Sequence, residues 1–329
     1  MRRNTAALRA VMLVLAALVC ACALCACMTG QGTTDQAETS ETKRTSIVTT
    51  NFAEYDFARQ VAGDAADVSL LLKPGADAHS YEPTPQDIVS IQDSDLFVYV
   101  GGDSDAWVDD VIGSMDQSRM HPFRLMDNVD TVDEVVPEGM QDDEDDDTSG
   151  DDAPEQDEHV WTSPVNAMRI VRAMCDELCR IDPDDAETYR TNTDAYLGKL
   201  QELDDEFRDV AANAKRTEIV VGDRFPFRYL CDEYGITYYA AFPGCSTETE
   251  ASASTVAFLI DKVKQDDIPV VFHIELSDER MCDSICAATG AKKELLDAVH
   301  NVSEEDFDAG VTYVDLMQHD VEVLREALD

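Results

Sequence analysis

Two histidines sit in stretches suited to holding a cation. His79 lies in Pro74-Gly75-Ala76-Asp77-Ala78-His79-Ser80-Tyr81-Glu82-Pro83-Thr84-Pro85, and His159 lies in Asp157-Glu158-His159-Val160-Trp161-Thr162-Ser163-Pro164. Imidazole is the commonest protein ligand for zinc and suits other transition metals, whereas carboxylates are hard ligands for divalent cations. A loop histidine alone is more often simply solvated. Here both histidines precede helix starts, marked by Thr84-Pro85 and Ser163-Pro164. An acidic stretch, 140–158, leads directly into His159. With so little apolar content it reads as a mobile loop. Alone it would be a solvated linker; beside a fixed imidazole it reads as a collector of cations.

The elements that must position these groups follow a repeating rhythm. Ile47 to Phe52 reads as a strand, Phe57, Val61 and Ala62 mark a helical face, and Val68 to Leu72 is a second strand. A helix from Pro85 and a strand over Leu96 to Val100 follow, then a helix around Trp107. This alternation predicts a parallel sheet covered by helices. Pro164 opens another helix that ends near Ile181. From Asp184 the apolar residues Tyr189, Tyr196, Leu200, Leu203, Phe207 and Val210 recur at helical spacing, predicting one long helix with a single apolar stripe. A second α/β series follows. Strands are expected over Thr217 to Val221, Ile236 to Ala241 and Val270 to Ile274, and helices over Phe225 to Tyr234, Ser254 to Lys264, Asp278 to Ala288 and Val311 to Leu328. The fold expected is two doubly wound α/β lobes joined by a single long helix, with a metal site in the interlobe cleft. The boundaries expected are a leader at 1–27, a tether at 28–45, a first lobe at 46–182, the connecting helix at 183–214 and a second lobe at 215–329.

At this point the chain resembles a known family. PGADAHSYEPTP and DEHVWTSP are similar to the paired histidine motifs of zinc/manganese ABC-transporter substrate-binding lipoproteins, and the resemblance extends from about Ser46 to Leu328. It implies a metal held between the lobes, two ligands from each. It also implies delivery of the metal to the permease and ATPase subunits of an ABC importer. The cargo implied is Zn2+, with Mn2+ the alternative, and the chain is read as a monomer.

The second half departs from the family's usual pattern. Where a third His or a Glu is common, this chain has Gly222-Asp223-Arg224-Phe225-Pro226-Phe227, so Asp223 becomes a candidate ligand one place out of register. Near the family's last ligand the chain reads Leu295-Leu296-Asp297-Ala298-Val299-His300-Asn301, offering both Asp297 and His300. Glu275, at the end of a predicted strand, would also face the cleft. Asp223 could instead cap a helix, Glu275 a strand end, and Asp297 could be a solvated acid. His273 is a lesser candidate, and His121 and His319 read as surface residues.

Charge and cysteines bound the rest. A formal net charge of −44 leaves no basic patch for nucleic acid and would repel an anionic membrane surface. Six cysteines lie beyond Cys27: Cys175, Cys179, Cys231, Cys245, Cys282 and Cys286. Disulfides, buried small hydrophobes or a tetrathiolate zinc site are all compatible with them. No HExxH, GxSxG or P-loop pattern supports an enzyme, although a zinc hydrolase is the rival of a different class. A surface adhesin is a third reading.

The N-terminus supplies an address. Arg2, Arg3 and Arg9 precede an apolar stretch ending in Leu24-Cys25-Ala26-Cys27, the pattern of a bacterial lipobox. Cys27 is therefore expected to carry lipid, placing the protein outside the cytoplasm and on the membrane through its anchor alone; Cys22 is a weaker alternative. Cys27→Ala should release the protein into the soluble fraction or leave an uncleaved precursor. Mass spectrometry of the mature N-terminus checks this, and an unmodified N-terminus beyond Cys27 would refute it.

Overall fold

A β-branched run starts the first lobe: Thr45–Thr49 forms β1, with its last three residues buried. In this computed structural model the described residues are 44–115, 119–136, 138–139, 155–245 and 251–329. The leader, most of the tether and the acidic stretch as far as Pro154 lie outside them. Phe52, expected in the strand, instead begins helix α1 (Phe52–Ala62). The buried Glu54 explains the break, because its Oε2 accepts the backbone N–H groups of Thr50 and Asn51 and so caps the helix start.

The lobe continues with β2 (Ala66–Leu70), α2 (Pro85–Asp93), β3 (Leu96–Tyr99), α3 (Ala106–Ser114) and β4 (His121–Arg124). Thr84 caps α2 and Pro85 takes its first turn, as the sequence predicts. Helix α4 (Pro164–Ile181) leads to α5 (Ala186–Asn213). The second lobe contains β5 (Glu218–Arg224), α6 (Arg228–Tyr234), β6 (Thr237–Phe242), α7 (Ala253–Gln265), β7 (Val270–His273), α8 (Arg280–Thr289), β8 (Lys292–Leu295), α9 (Glu304–Ala309) and α10 (Tyr313–Leu328). The architecture is α/β with two four-stranded sheets, ordered β2-β1-β3-β4 and β6-β5-β7-β8. Every pairing is parallel.

Strands β4 and β8 escaped the sequence reading. Their sequences, HPFR and KKEL, carry charges and a proline rather than β-branched residues. Both are edge strands, where such residues discourage pairing with another chain. His121, read as a surface residue, heads β4 and its Nδ1 lies 3.0 Å from Arg180 Nη2.

In each sheet the winding reverses between the two central strands, which opens a crevice at their carboxyl ends. His79 follows β2, Ser104 follows β3 and His159 follows β4. Across from them Arg224 ends β5, Glu275 follows β7 and His300 follows β8. The strand-to-helix loops of both lobes therefore carry the candidate residues.

Helix α5 spans 28 residues, roughly 42 Å of rise. Its buried stripe is Tyr189, Thr193, Tyr196, Leu200, Leu203, Phe207 and Val210. One apolar cluster runs from Ile47 and Phe57 through Tyr196 and Phe207 to Ile219 and Leu324. The six cysteines among the described residues are free thiols, with Cys175 and Cys179 sharing a helix face at 4.0 Å between sulfurs. No tetrathiolate cluster forms among the described residues.

Asp56 ties three helices together from a fully buried position. Its Oδ1 accepts from Arg59 Nε at 2.7 Å, while its Oδ2 accepts from the Tyr196 hydroxyl at 3.3 Å and the Tyr313 backbone N–H at 2.9 Å. Asp56→Ala leaves a buried hydroxyl and the first N–H of α10 without an acceptor. We expect it to cost about 3 kcal/mol of unfolding free energy, and Asp56→Asn to cost less. Urea unfolding midpoints at unchanged slope check this.

Candidate metal centre

Three imidazoles meet where the two lobes face each other. His79 sits on a single helical turn, Ala78–Ser80, whose start is capped by Asp77 accepting the His79 N–H. His159 precedes the turn Val160–Thr162 that feeds α4. His300 lies in the loop between β8 and α9. Ring centroids are 5.6 Å apart for His79–His159 and 5.0 Å apart for each of the other two pairs. Their candidate ligand atoms lie within 4.8 Å of one another.

Each ring is fixed through Nδ1. His159 Nδ1 lies 3.0 Å from Asp157 Oδ1, and His300 Nδ1 lies 2.9 Å from Glu275 Oε1. His79 Nδ1 lies 3.0 Å from Ser104 Oγ, which in turn donates to Glu158 Oε1 at 2.5 Å. With carboxylates or a committed hydroxyl as partner, each Nδ1 is the protonated nitrogen, a tautomer assigned from the network. That leaves three Nε2 lone pairs. All three are buried and without a hydrogen-bond partner. A buried orphan nitrogen is costly, and three converging ones make a nest for a cation.

The surroundings keep the His79 and His300 lone pairs available and act differently on His159. Burial, then the neighbouring rings and Arg224, hold His79 far below the ordinary imidazole range. Burial, His159 and Arg224 do the same for His300. For His159 burial also opposes charge, but Asp157's charge and hydrogen bond, with Glu158 and Glu134, raise its pKa overall. His79, Arg224, Glu275 and His300 also line a cavity of about 20 Å³, room for one water-sized donor in a fourth position. Arg224 reaches across to Asp77 at 3.5 Å.

The other candidates stand elsewhere. Asp223 turns its Oδ1 to the Arg224 N–H and lines a neighbouring hollow with Phe242 and Ser277. Glu275 stands behind His300, accepting its backbone N–H and that of Ala298 as well as its ring; burial pushes its pKa up to about 7. Asp297 is consumed by the Val299 N–H, and burial with the charge of Glu275 raises its pKa well above the usual carboxylate range. Neither Asp223, Glu275 nor Asp297 joins the converging ligand atoms. The rings thus come two from the first lobe and one from the second. His273 points its Nδ1 at the Ile274 carbonyl, and His319 is half-exposed beside Asp320.

The sequence reading missed Asp157, Glu158 and Ser104. Asp157 and Glu158 were read as the end of the mobile acidic stretch, yet both are buried. Their adjacency to His159 was the available signal. Gly102 admits Glu158, since a Cβ there would lie 2.1 Å from the Glu158 Oε2. Backbone strain marks the second-lobe side: Val299 and Leu276, beside His300 and Glu275, have φ of 58° and 56°. Non-glycine residues in that region cost on the order of 1–3 kcal/mol each.

The His300 loop is also sewn to the first lobe. Phe52 N–H donates to the His300 carbonyl at 2.9 Å, and Asn301 Nδ2 donates to the carbonyls of Lys73 and Ala76. Trp161 Nε1 donates to the Ala298 carbonyl at 2.8 Å, and its ring meets His300 edge-on at 5.3 Å between centroids.

Known proteins share this arrangement of lobes. The family of zinc-uptake complex component A, periplasmic (ZnuA), matches residues 47–327. The high-affinity zinc uptake system protein ZnuA of Bacillus subtilis is 32% identical over 284 residues, covering 86% of this chain and 87% of that protein. The zinc-binding lipoprotein AdcA of Streptococcus pneumoniae is 32% identical over 286 residues, but the chain spans only 56% of AdcA's length. The Zn(II)-bound ZnuA-like domain of pneumococcal AdcA superposes with a TM-score of 0.72 at 30% identity, over 87% of this chain and 99% of the domain. The metal-dependent lipoprotein YcdH of Bacillus subtilis gives 0.73 at 32% identity, with the same coverage. A match over almost all of the described chain leaves one assignment: this protein belongs to the ZnuA family of zinc-uptake components.

Proposed function

We propose that this chain captures a divalent metal, zinc in preference to manganese, outside the cytoplasm and hands it to the permease and ATPase of an ABC importer. It would act as a monomer anchored through lipid on Cys27. The observation that carries the reading is the convergence of three buried Nε2 atoms that have no protein partner. Three converging imidazoles suit zinc; a set with more oxygen donors would favour manganese. The kinship to zinc-binding relatives supports the same cargo. A hydrolytic zinc centre would need a free general base beside the metal. Asp157 and Glu275 are instead hydrogen-bonded to the Nδ1 side of the rings.

His79, His159 and His300 are the proposed ligands, with the fourth position facing the small cavity beside Arg224. Replacing any one of them with alanine should weaken zinc binding roughly a hundredfold or more, exceeding the loss typical of an outer partner. His319→Ala should change nothing. Competition titration against a chromophoric chelator measures both. Unchanged affinity in His300→Ala would remove it from the site and return the assignment to Asp223, Glu275 and Asp297, with manganese then the better cargo.

The supporting carboxylates have their own signature. Asp157→Ala should weaken zinc binding by about 10- to 100-fold with the ligands intact. Asp157→Asn, whose amide oxygen still accepts the His159 Nδ1–H, should recover most of the loss. Equal affinity in Asp157→Ala and the parent protein would show that this hydrogen bond does not position the ring.

A further inference from the structure

A second cluster shares a residue with the three-histidine centre. Candidate ligand atoms of Glu158, His159 and Cys245 also lie within 4.8 Å of one another. Cys245 belongs to the second lobe, in the turn that follows β6, while the other two belong to the first. The turn is built against the imidazole: a Cβ at Gly244 would lie 2.9 Å from His159 Cε1. The Cys245 N–H donates to Glu134 Oε1 at 3.0 Å, which holds the turn in place. Cys245 is a free thiol. Glu158 is buried and accepts from both the N–H and the hydroxyl of Ser104, and each carboxylate oxygen can accept more than one bond.

His159 is fully buried and its Nε2 has no hydrogen-bond partner, so one nitrogen is available to either cluster. We propose that Glu158, His159 and Cys245 form a second, weaker metal position that shares His159 with the three-histidine centre. The inference rests on the three-histidine reading and extends it. One Nε2 cannot bind two ions, so a cation occupies one position or the other, pivoting about His159. A sulfur, nitrogen and oxygen set takes borderline and soft cations such as Zn2+ and Cd2+, and not the hard Mg2+ or Ca2+. Binding forms a metal–sulfur bond and releases the thiol proton to water. Because Cys245 comes from the lobe opposite Glu158 and His159, the position spans the interlobe junction, where an arriving ion could pause before all three imidazoles engage it.

Cadmium is the probe, because a cadmium–thiolate bond absorbs in the ultraviolet and a three-imidazole site does not. The full chain with His300→Ala should bind one Cd2+ and show this band, since loss of His300 leaves the second position favoured. Adding Cys245→Ser should abolish the band and weaken cadmium binding about tenfold or more, while adding Cys286→Ser instead should leave the band in place. Should His300→Ala not fold, the parent protein and Cys245→Ser alone give the same comparison, with a weaker band expected in the parent. No band in any variant, or a band that survives Cys245→Ser, would overturn the proposal. Zinc titration of the parent protein tests the three-histidine centre separately, so failure of one reading is distinguishable from failure of the other.

Discussion

Everything about the metal centre depends on where each Nδ1–H goes. Three carboxylates, Asp157, Glu158 and Glu275, take up the Nδ1 side of three imidazoles, Glu158 acting through Ser104. This fixes the tautomers and orients the rings so that the three Nε2 lone pairs converge. Negative charge thus stands behind the rings rather than among the converging Nε2 atoms. Burying carboxylates is costly, and the chain offsets the cost with backbone donors: His159 N–H to Asp157, Ser104 N–H to Glu158, and the N–H groups of Ala298 and His300 to Glu275.

The lobes are coupled more tightly than two bodies joined by a flexible linker. Helix α5 packs on α1 and α4 at one end and on α10 further along, and a continuous core runs through it. Around the site, the loop carrying His300 is bonded to Phe52, Lys73, Ala76 and Trp161 of the opposite lobe. A helix without a loop hinge resists large rotations, so any parting of the lobes has to break these loop contacts. The strained backbone at Val299 stores energy in that loop, and Leu276 does so in the neighbouring loop after β7.

Other buried acids support the frame without joining the site. Burial raises Glu54 and Asp320 well above the carboxylate range and Asp105 to about 7. For an acid with a raised pKa, the folded state holds the proton more tightly than the unfolded chain does. The stabilisation is full below the unfolded value and is lost as pH rises through the folded one, so Asp105 favours the fold on the acid side of about pH 7. The chain as a whole carries a formal net charge of −44, which favours cations as a class.

Much of this was legible in the chain itself. Periodicity alone specified α5, because an apolar stripe at helical spacing can be buried in only one way. Proline and its N-caps fixed the starts of α2 and α4, and the β-branched central strands declared themselves. His79 and His159 stood out because local turn chemistry set them before helices. Tertiary structure decided the rest. Strands β4 and β8 form because a neighbouring strand is there to pair with, not because their charged sequences ask for it. Whether His300, Asp223, Glu275 or Asp297 faces the two first-lobe rings depends on how loops hundreds of residues apart meet across the cleft. The roles of Asp157 and Glu158 were hidden for the same reason: in sequence they are the tail of an acidic run, and only burial against Ser104 and His159 separates them from it.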